Sequence, residues 1–118
     1  MSSSKNVSMN VADIFCALAD ILEARKAADV GESYVASLYD KGIEAIIAKV
    51  EEEAGETVAA ARGEGDEALI HEVADLWFHC MVLLAQRGLR PEAVLQELAG
   101  RFGVSGHDEK AARGISQD

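Results

Sequence analysis

The chain has 118 residues, a formal net charge of −10 and two cysteines. A chain of this size closes one modest core, burying roughly 60–70% of the surface it exposes when unfolded, and cannot hold two separate catalytic domains. The acidic balance excludes a general nucleic-acid binder, whose affinity comes from clustered Lys and Arg. Cys16 and Cys80 form no CxxC or disulfide framework and read as reduced thiols, Cys80 buried in a helix, which points to a cytoplasmic protein.

Residues 1–10 are Ser-rich without the apolar stretch of a signal peptide and read as a disordered leader; no segment is expected to reach the ~18 apolar residues of a membrane span. Asn10 or Asp13 can cap a first helix running to about Lys26, with Val11, Ile14, Phe15, Leu18, Ile21 and Leu22 at three- and four-residue steps. After a break at Asp29-Val30-Gly31-Glu32, Ser33 caps a short helix that stops at Gly42. A second long helix is expected from Ile43 to Arg62, its apolar stripe made by Ile43, Ile46, Ile47, Val50, Ala54 and Val58. Gly63-Glu64-Gly65 ends it. Asp66 is expected to cap a third, running to about Arg87 and closed by Gly88. Pro91 opens a fourth that ends near Arg101, and a last short helix is expected over His107 to Arg113. The pattern predicts an all-α fold of four to five helices in a single domain over 11–113, with 114–118 as a flexible tail.

From Val73 to Ala85 the third long helix is apolar around nearly its whole circumference, with Trp77 and Phe78 expected in the core. A helix of that kind must be covered on all sides. One chain with so few helices supplies too little cover, which predicts a dimeric helical bundle in which this helix packs against its own chain and its partner's.

The chemistry sits on the two long helices. Glu53 and Glu56, three residues apart, share a helix face, as do Glu72 and Asp75 on the next helix. The short glycine turn makes the two helices an antiparallel hairpin, with Glu56 eight residues before Glu64 and Glu72 eight after it, so the pairs meet. Carboxylates brought together repel one another unless a cation neutralises them, and an oxygen-only set suits Mg²⁺ or Mn²⁺. Glu51 faces away and reads as a solvated acid. His79 reads as a core-edge histidine bonded to a carboxylate.

The acidic pattern E-E-x-x-E followed by E-x-x-D resembles the signature of the MazG-like all-α nucleoside triphosphate pyrophosphatases. Ser33-Tyr34-Val35-Ala36-Ser37-Leu38, Lys49 through Glu56, Glu72-Val73-Ala74-Asp75-Leu76-Trp77-Phe78-His79 and Glu109-Lys110-Ala111-Ala112-Arg113 are similar, more specifically, to the phosphoribosyl-ATP pyrophosphohydrolase family. The likeness spans about Val11 to Arg113; one departure is Glu51, where the family usually has Gly.

The resemblance implies hydrolysis of phosphoribosyl-ATP to phosphoribosyl-AMP and pyrophosphate in histidine biosynthesis. It implies Mg²⁺ on Glu53, Glu56, Glu72 and Asp75, and Glu52 as an outer acid or as base for the attacking water, so that Glu52 and Glu53 are the catalytic candidates. For substrate binding it implies Lys41, Lys49, Lys110 and Arg113 on the phosphates, Ser33 and Tyr34 as hydrogen-bond donors, and His79 beside them. A homodimer or higher homo-oligomer and association with a phosphoribosyl-AMP cyclohydrolase belong to the same expectation, with no nucleic acid or membrane as partner. Two rivals stay open: a house-cleaning pyrophosphatase of ordinary or damaged nucleotides, and a non-catalytic helical dimerisation protein whose acids are surface charge.

Overall fold

The computed structural model describes residues 10–103, in which five α-helices and no strand occur. Helix α1 spans Val11–Ala24 and runs into a 3₁₀ turn, Arg25–Ala27. Helix α2 is Tyr34–Lys41, α3 is Ile43–Gly63, α4 is Asp66–Gln86 and α5 is Pro91–Arg101. The expected helix over His107 to Arg113, the leader and the tail lie outside the described residues, apart from Asn10.

The helix ends follow local chemistry. Asn10 is the cap of α1, its side-chain oxygen accepting from the Asp13 backbone N–H at 2.9 Å. Ser33 Oγ does the same for α2, accepting from the Ala36 N–H at 3.1 Å. Asp66 departs from expectation: it lies in the first turn of α4, and the cap position belongs to Gly65, which makes no side-chain bond. Gly65 has φ 96° and ψ 167°, a backbone region essentially reserved for glycine, so the turn between α3 and α4 depends on it. At the far end of α4, Gly88 adopts φ 74° while the Gly88 and Leu89 N–H groups bond the Ala85 and Leu84 carbonyls, the usual glycine stop.

The α3–α4 hairpin is the largest packing unit, and α1 and α2 lie across its open end, away from the turn. There Leu22, Val35, Leu38, Ile46, Met81, Val82 and Ala85 form the core, with Phe15, Leu18, Tyr39, Phe78 and Leu83 packed against it. Ile46 and Val82 have no exposed surface. Several stripe residues lie elsewhere than periodicity suggested. Val11, Ile14, Ile21 and Val58 are exposed, because α1 meets the hairpin along Phe15, Leu18, Ala19 and Leu22 only, and the end of α3 is covered by α4 alone.

Trp77 corrects the expectation of a core position: it is 57% exposed and touches Phe15 at a ring-centroid distance of 6.4 Å. Ile70, one heptad earlier, is more exposed still. Cys80 is half-buried and, like Cys16, a free thiol. A second correction concerns length and composition: among the described residues α4 is long and apolar enough to cross a membrane. It nevertheless packs lengthwise on α3 and carries Glu72, Asp75 and His79 in its middle, where ionisable groups are costly in lipid.

Candidate active site

Glu53 and Glu56 leave α3 toward α4 at the level of Glu72, as the count from the glycine turn requires. One carboxylate oxygen from each of the three lies within 4.8 Å of the others. Thr57 fixes the register: its hydroxyl contacts the Glu53 carbonyl at 2.8 Å and the Glu72 carbonyl of the facing helix at 3.2 Å. Sequence reasoning passed over Thr57, whose signal was a threonine one turn after Glu53, placed to bond back to the i−4 carbonyl.

Glu53 is 5% exposed, an unusual position for a carboxylate. Its Oε1 and the Oε1 of Glu72 are buried with no hydrogen-bond partner. Buried acceptors are normally satisfied, and two orphaned oxygens facing a third carboxylate form a cluster that the one lysine at Glu53 neutralises only in part. The Glu56 carboxyl is pushed above the usual carboxylate range, first by partial desolvation and then by the negative charges of Glu72 and Glu52. Three hard oxygen donors with two unsatisfied lone-pair sets suit a Mg²⁺ or Mn²⁺ ion.

Asp75 is not in this trio. Its carboxylate lies 3.4 Å from His71 Nε2 and is partly exposed. The i, i+4 spacing of His71 and Asp75 was the available sign of that pair.

Lys49 lies one turn before Glu53, with Nζ 3.3 Å from Glu52 and 3.6 Å from Glu53. The Glu52 bond is the main influence that raises its pKa. Glu52 is thus exposed, paired to Lys49 and outside the trio.

Tyr34, in the first turn of α2, has its hydroxyl 2.8 Å from His79 Nε2. His79 is 5% exposed, and its Nδ1 lies 2.8 Å from the Asp75 backbone carbonyl rather than from a carboxylate, correcting the expected partner. Desolvation is the main reason the Tyr34 phenol is raised above its ordinary range, opposed by the nearby ammonium of Lys49.

Ser33 is buried with its oxygen committed to the helix cap. Lys41 is exposed at the opposite end of α2, about 10 Å along the axis from Tyr34 at 1.5 Å per residue. Lys110 and Arg113 lie outside the described residues. Tyr34, Lys49, Glu52, Glu53, Glu56, Glu72 and His79 are therefore brought to one side of the hairpin, and Asp75 borders them.

The class the fold and site define is an all-α helical hairpin with an incompletely neutralised carboxylate cluster that could hold a cation, and a lysine beside it for a phosphate. Residues 15–102 match the phosphoribosyl-ATP pyrophosphohydrolase family, and the chain belongs to that family. It is 54% identical over 101 residues to the phosphoribosyl-ATP pyrophosphatase of Methylococcus capsulatus, covering 86% of this chain and 96% of that protein. It is 55% identical over 101 residues to the phosphoribosyl-ATP pyrophosphatase of Chromobacterium violaceum, covering 86% of this chain and 94% of that protein.

Proposed function

We infer that the chain hydrolyses the phosphoanhydride bond of phosphoribosyl-ATP, releasing pyrophosphate and phosphoribosyl-AMP in histidine biosynthesis, and that it does so with Mg²⁺ held by Glu53, Glu56 and Glu72. Family membership supports the reaction. The observation that carries the metal assignment is the pair of orphaned buried oxygens, Glu53 Oε1 and Glu72 Oε1, within a trio of carboxylates. Asp75, which borders the trio, would supply a fourth oxygen, and Mn²⁺ would suit the same oxygen set.

When bound, the ion supplies charge neutralisation for the phosphates and a lowered pKa for water. The protein's own groups do the rest. Lys49 holds a phosphate oxygen beside the trio, and exposed Glu52 is the base positioned to take the proton of the attacking water. Lys41, Lys110 and Arg113 hold the outer phosphates. The test is pyrophosphate release from phosphoribosyl-ATP, which is expected to stop with chelator and return with added Mg²⁺. Turnover of ordinary triphosphates in preference to phosphoribosyl-ATP would favour the house-cleaning alternative instead.

The same reading makes the protein a cytoplasmic homodimer. Ile70 and Trp77 on α4 and Val94 and Leu98 on α5 are all more than 40% exposed, an apolar surface that a second copy would cover. Trp77 also borders a groove of about 280 Å³ reaching Phe15, Pro91 and Leu98. Trp77→Glu is expected to convert the dimer to monomer in sedimentation analysis. Unchanged mass would remove this face as the interface. Association with a phosphoribosyl-AMP cyclohydrolase is a further part of the proposal, testable by co-sedimentation.

A further inference from the structure

The trio of Glu53, Glu56 and Glu72 has one cation against it. Among the described residues Lys49 is the basic side chain that pairs with it, Nζ lying 3.6 Å from Glu53 Oε2, while His71 is turned to Asp75. The contact is one-sided. It reaches Oε2 alone, and Oε1 of the same buried glutamate and Oε1 of Glu72 stay without a partner. A carboxylate as buried as Glu53 is costly without a counter-charge, and in the metal-free chain Lys49 supplies a part of it.

The lysine is held loosely. Its distances of 3.3 Å to Glu52 Oε1 and 3.6 Å to Glu53 Oε2 both exceed the ~2.7–2.9 Å of a tight charge-assisted hydrogen bond. The ammonium stands at the rim, between the buried acid and exposed Glu52. Lysine four residues before glutamate is also the weaker order for such a pair on a helix, so helix stability does not account for its place. On a flexible four-carbon stem the ammonium can leave Glu53 and stay with Glu52.

We propose that Lys49 is the resident counter-ion of the trio: it neutralises Glu53 in the metal-free protein, competes with a divalent cation for that carboxylate, and once displaced keeps Glu52 and turns to a substrate phosphate. The inference rests on the reading of the trio as a metal site and deepens it, because a lysine that served the phosphate alone would leave metal affinity untouched. Two cations within reach of one carboxylate repel each other, so removing the lysine tightens the metal. The same removal strips the metal-free trio of its partial counter-charge and destabilises that form. A lysine that merely ordered the Glu53 side chain would act in the opposite direction on the metal, its loss weakening the affinity.

The test measures Mn²⁺ binding to the full chain, without substrate, from the electron paramagnetic resonance of the free ion. Lys49→Met and Lys49→Gln are each expected to lower the Mn²⁺ Kd about tenfold, within the usual range of coupling between two sites. Lys49→Arg keeps the charge and is expected to keep the parent's Kd to within about twofold. In chelator, Lys49→Met is expected to lower the urea midpoint of the parent and to leave that of Glu53→Gln nearly unchanged, because the pair is then already broken. A Kd that loss of the lysine leaves unchanged or raises would overturn the competition, as would equal tightening in Lys49→Arg. Failure of the trio itself looks different: a parent that binds no Mn²⁺, or a Glu53→Gln variant that binds it as the parent does, would remove the metal site and the competition with it. Circular dichroism of each variant establishes that it folds.

Discussion

The two halves of α4 face the same partner helix and bury opposite things. Toward the open end of the hairpin, Met81, Val82 and Ala85 close on Ile46, Leu38 and Leu22 in an apolar core. Toward the glycine turn, Glu72 faces Glu53 and Glu56, and two carboxylate oxygens go without partners. The apolar end contributes roughly 1.5–3 kcal/mol for each large side chain fully buried. The acidic end costs stability in the metal-free protein, because desolvated like charges oppose one another. Stability is concentrated at one end of the hairpin and chemistry at the other, with Lys49, Tyr34 and His79 at the boundary.

The largest expected effect is on the acidic half. Glu53→Gln should lower turnover by about two to three orders of magnitude, the scale of losing a preorganised electrostatic contact at a reacting phosphate. The same substitution should raise the stability of the metal-free protein by about 1 kcal/mol in urea unfolding, since it removes a buried charge. A variant that lost both activity and stability would break the division of labour between the two halves.

The apolar half should respond in the reverse sense. Ile46→Ala is expected to cost about 2–5 kcal/mol, read as a lower urea midpoint, while the folded fraction keeps its turnover. Between these lies the turn: Gly65→Ala forces a side chain into a backbone region that only glycine adopts freely. About 1–3 kcal/mol of destabilisation in thermal unfolding is expected.

The smallest effect lies outside the hairpin, where α5 is tied to α1. Glu92 accepts from Cys16 Sγ at 3.1 Å and from Arg90, and Arg90 also reaches Asp20. The Cys16 bond, followed by the Arg90 bond, holds the Glu92 carboxyl at about 2, while the Cys16 thiol is raised. A carboxyl depressed in the folded state contributes stability above its unfolded value of 4.5, and loses it as pH falls through about 2. Glu92→Gln should therefore flatten part of the acid-induced loss of stability across that window, measured as the difference between variant and parent by circular dichroism. An unchanged profile would show that the tether adds nothing.

The helices were legible because their signals are local: Asn10 and Ser33 at caps, Gly42, Gly65 and Gly88 at stops, Pro91 in a first turn, and apolar steps between them. The meeting of Glu53, Glu56 and Glu72 was legible for the same reason, since a tight turn converts sequence distance from Gly65 into opposition across the hairpin. What failed were readings that needed a partner surface. Periodicity assigned Val58 and Trp77 to the interior, but burial depends on how fully other helices cover that turn: Val58 lies where α3 has α4 alone beside it, and Trp77 is only edged by Phe15 of α1.

The sequence by itself therefore determined the all-α class, the hairpin and three of the four carboxylates expected to converge, because each follows from helical geometry plus one turn. Only the tertiary structure decided that Asp75 turns to His71, that Thr57 locks the register and that His79 engages a backbone carbonyl and Tyr34. Those are choices of rotamer and of hydrogen-bond partner among groups close in space, and helical spacing leaves such choices open. The docking of α2 against the hairpin makes them, by bringing Tyr34 to His79 across a sequence separation of 45 residues.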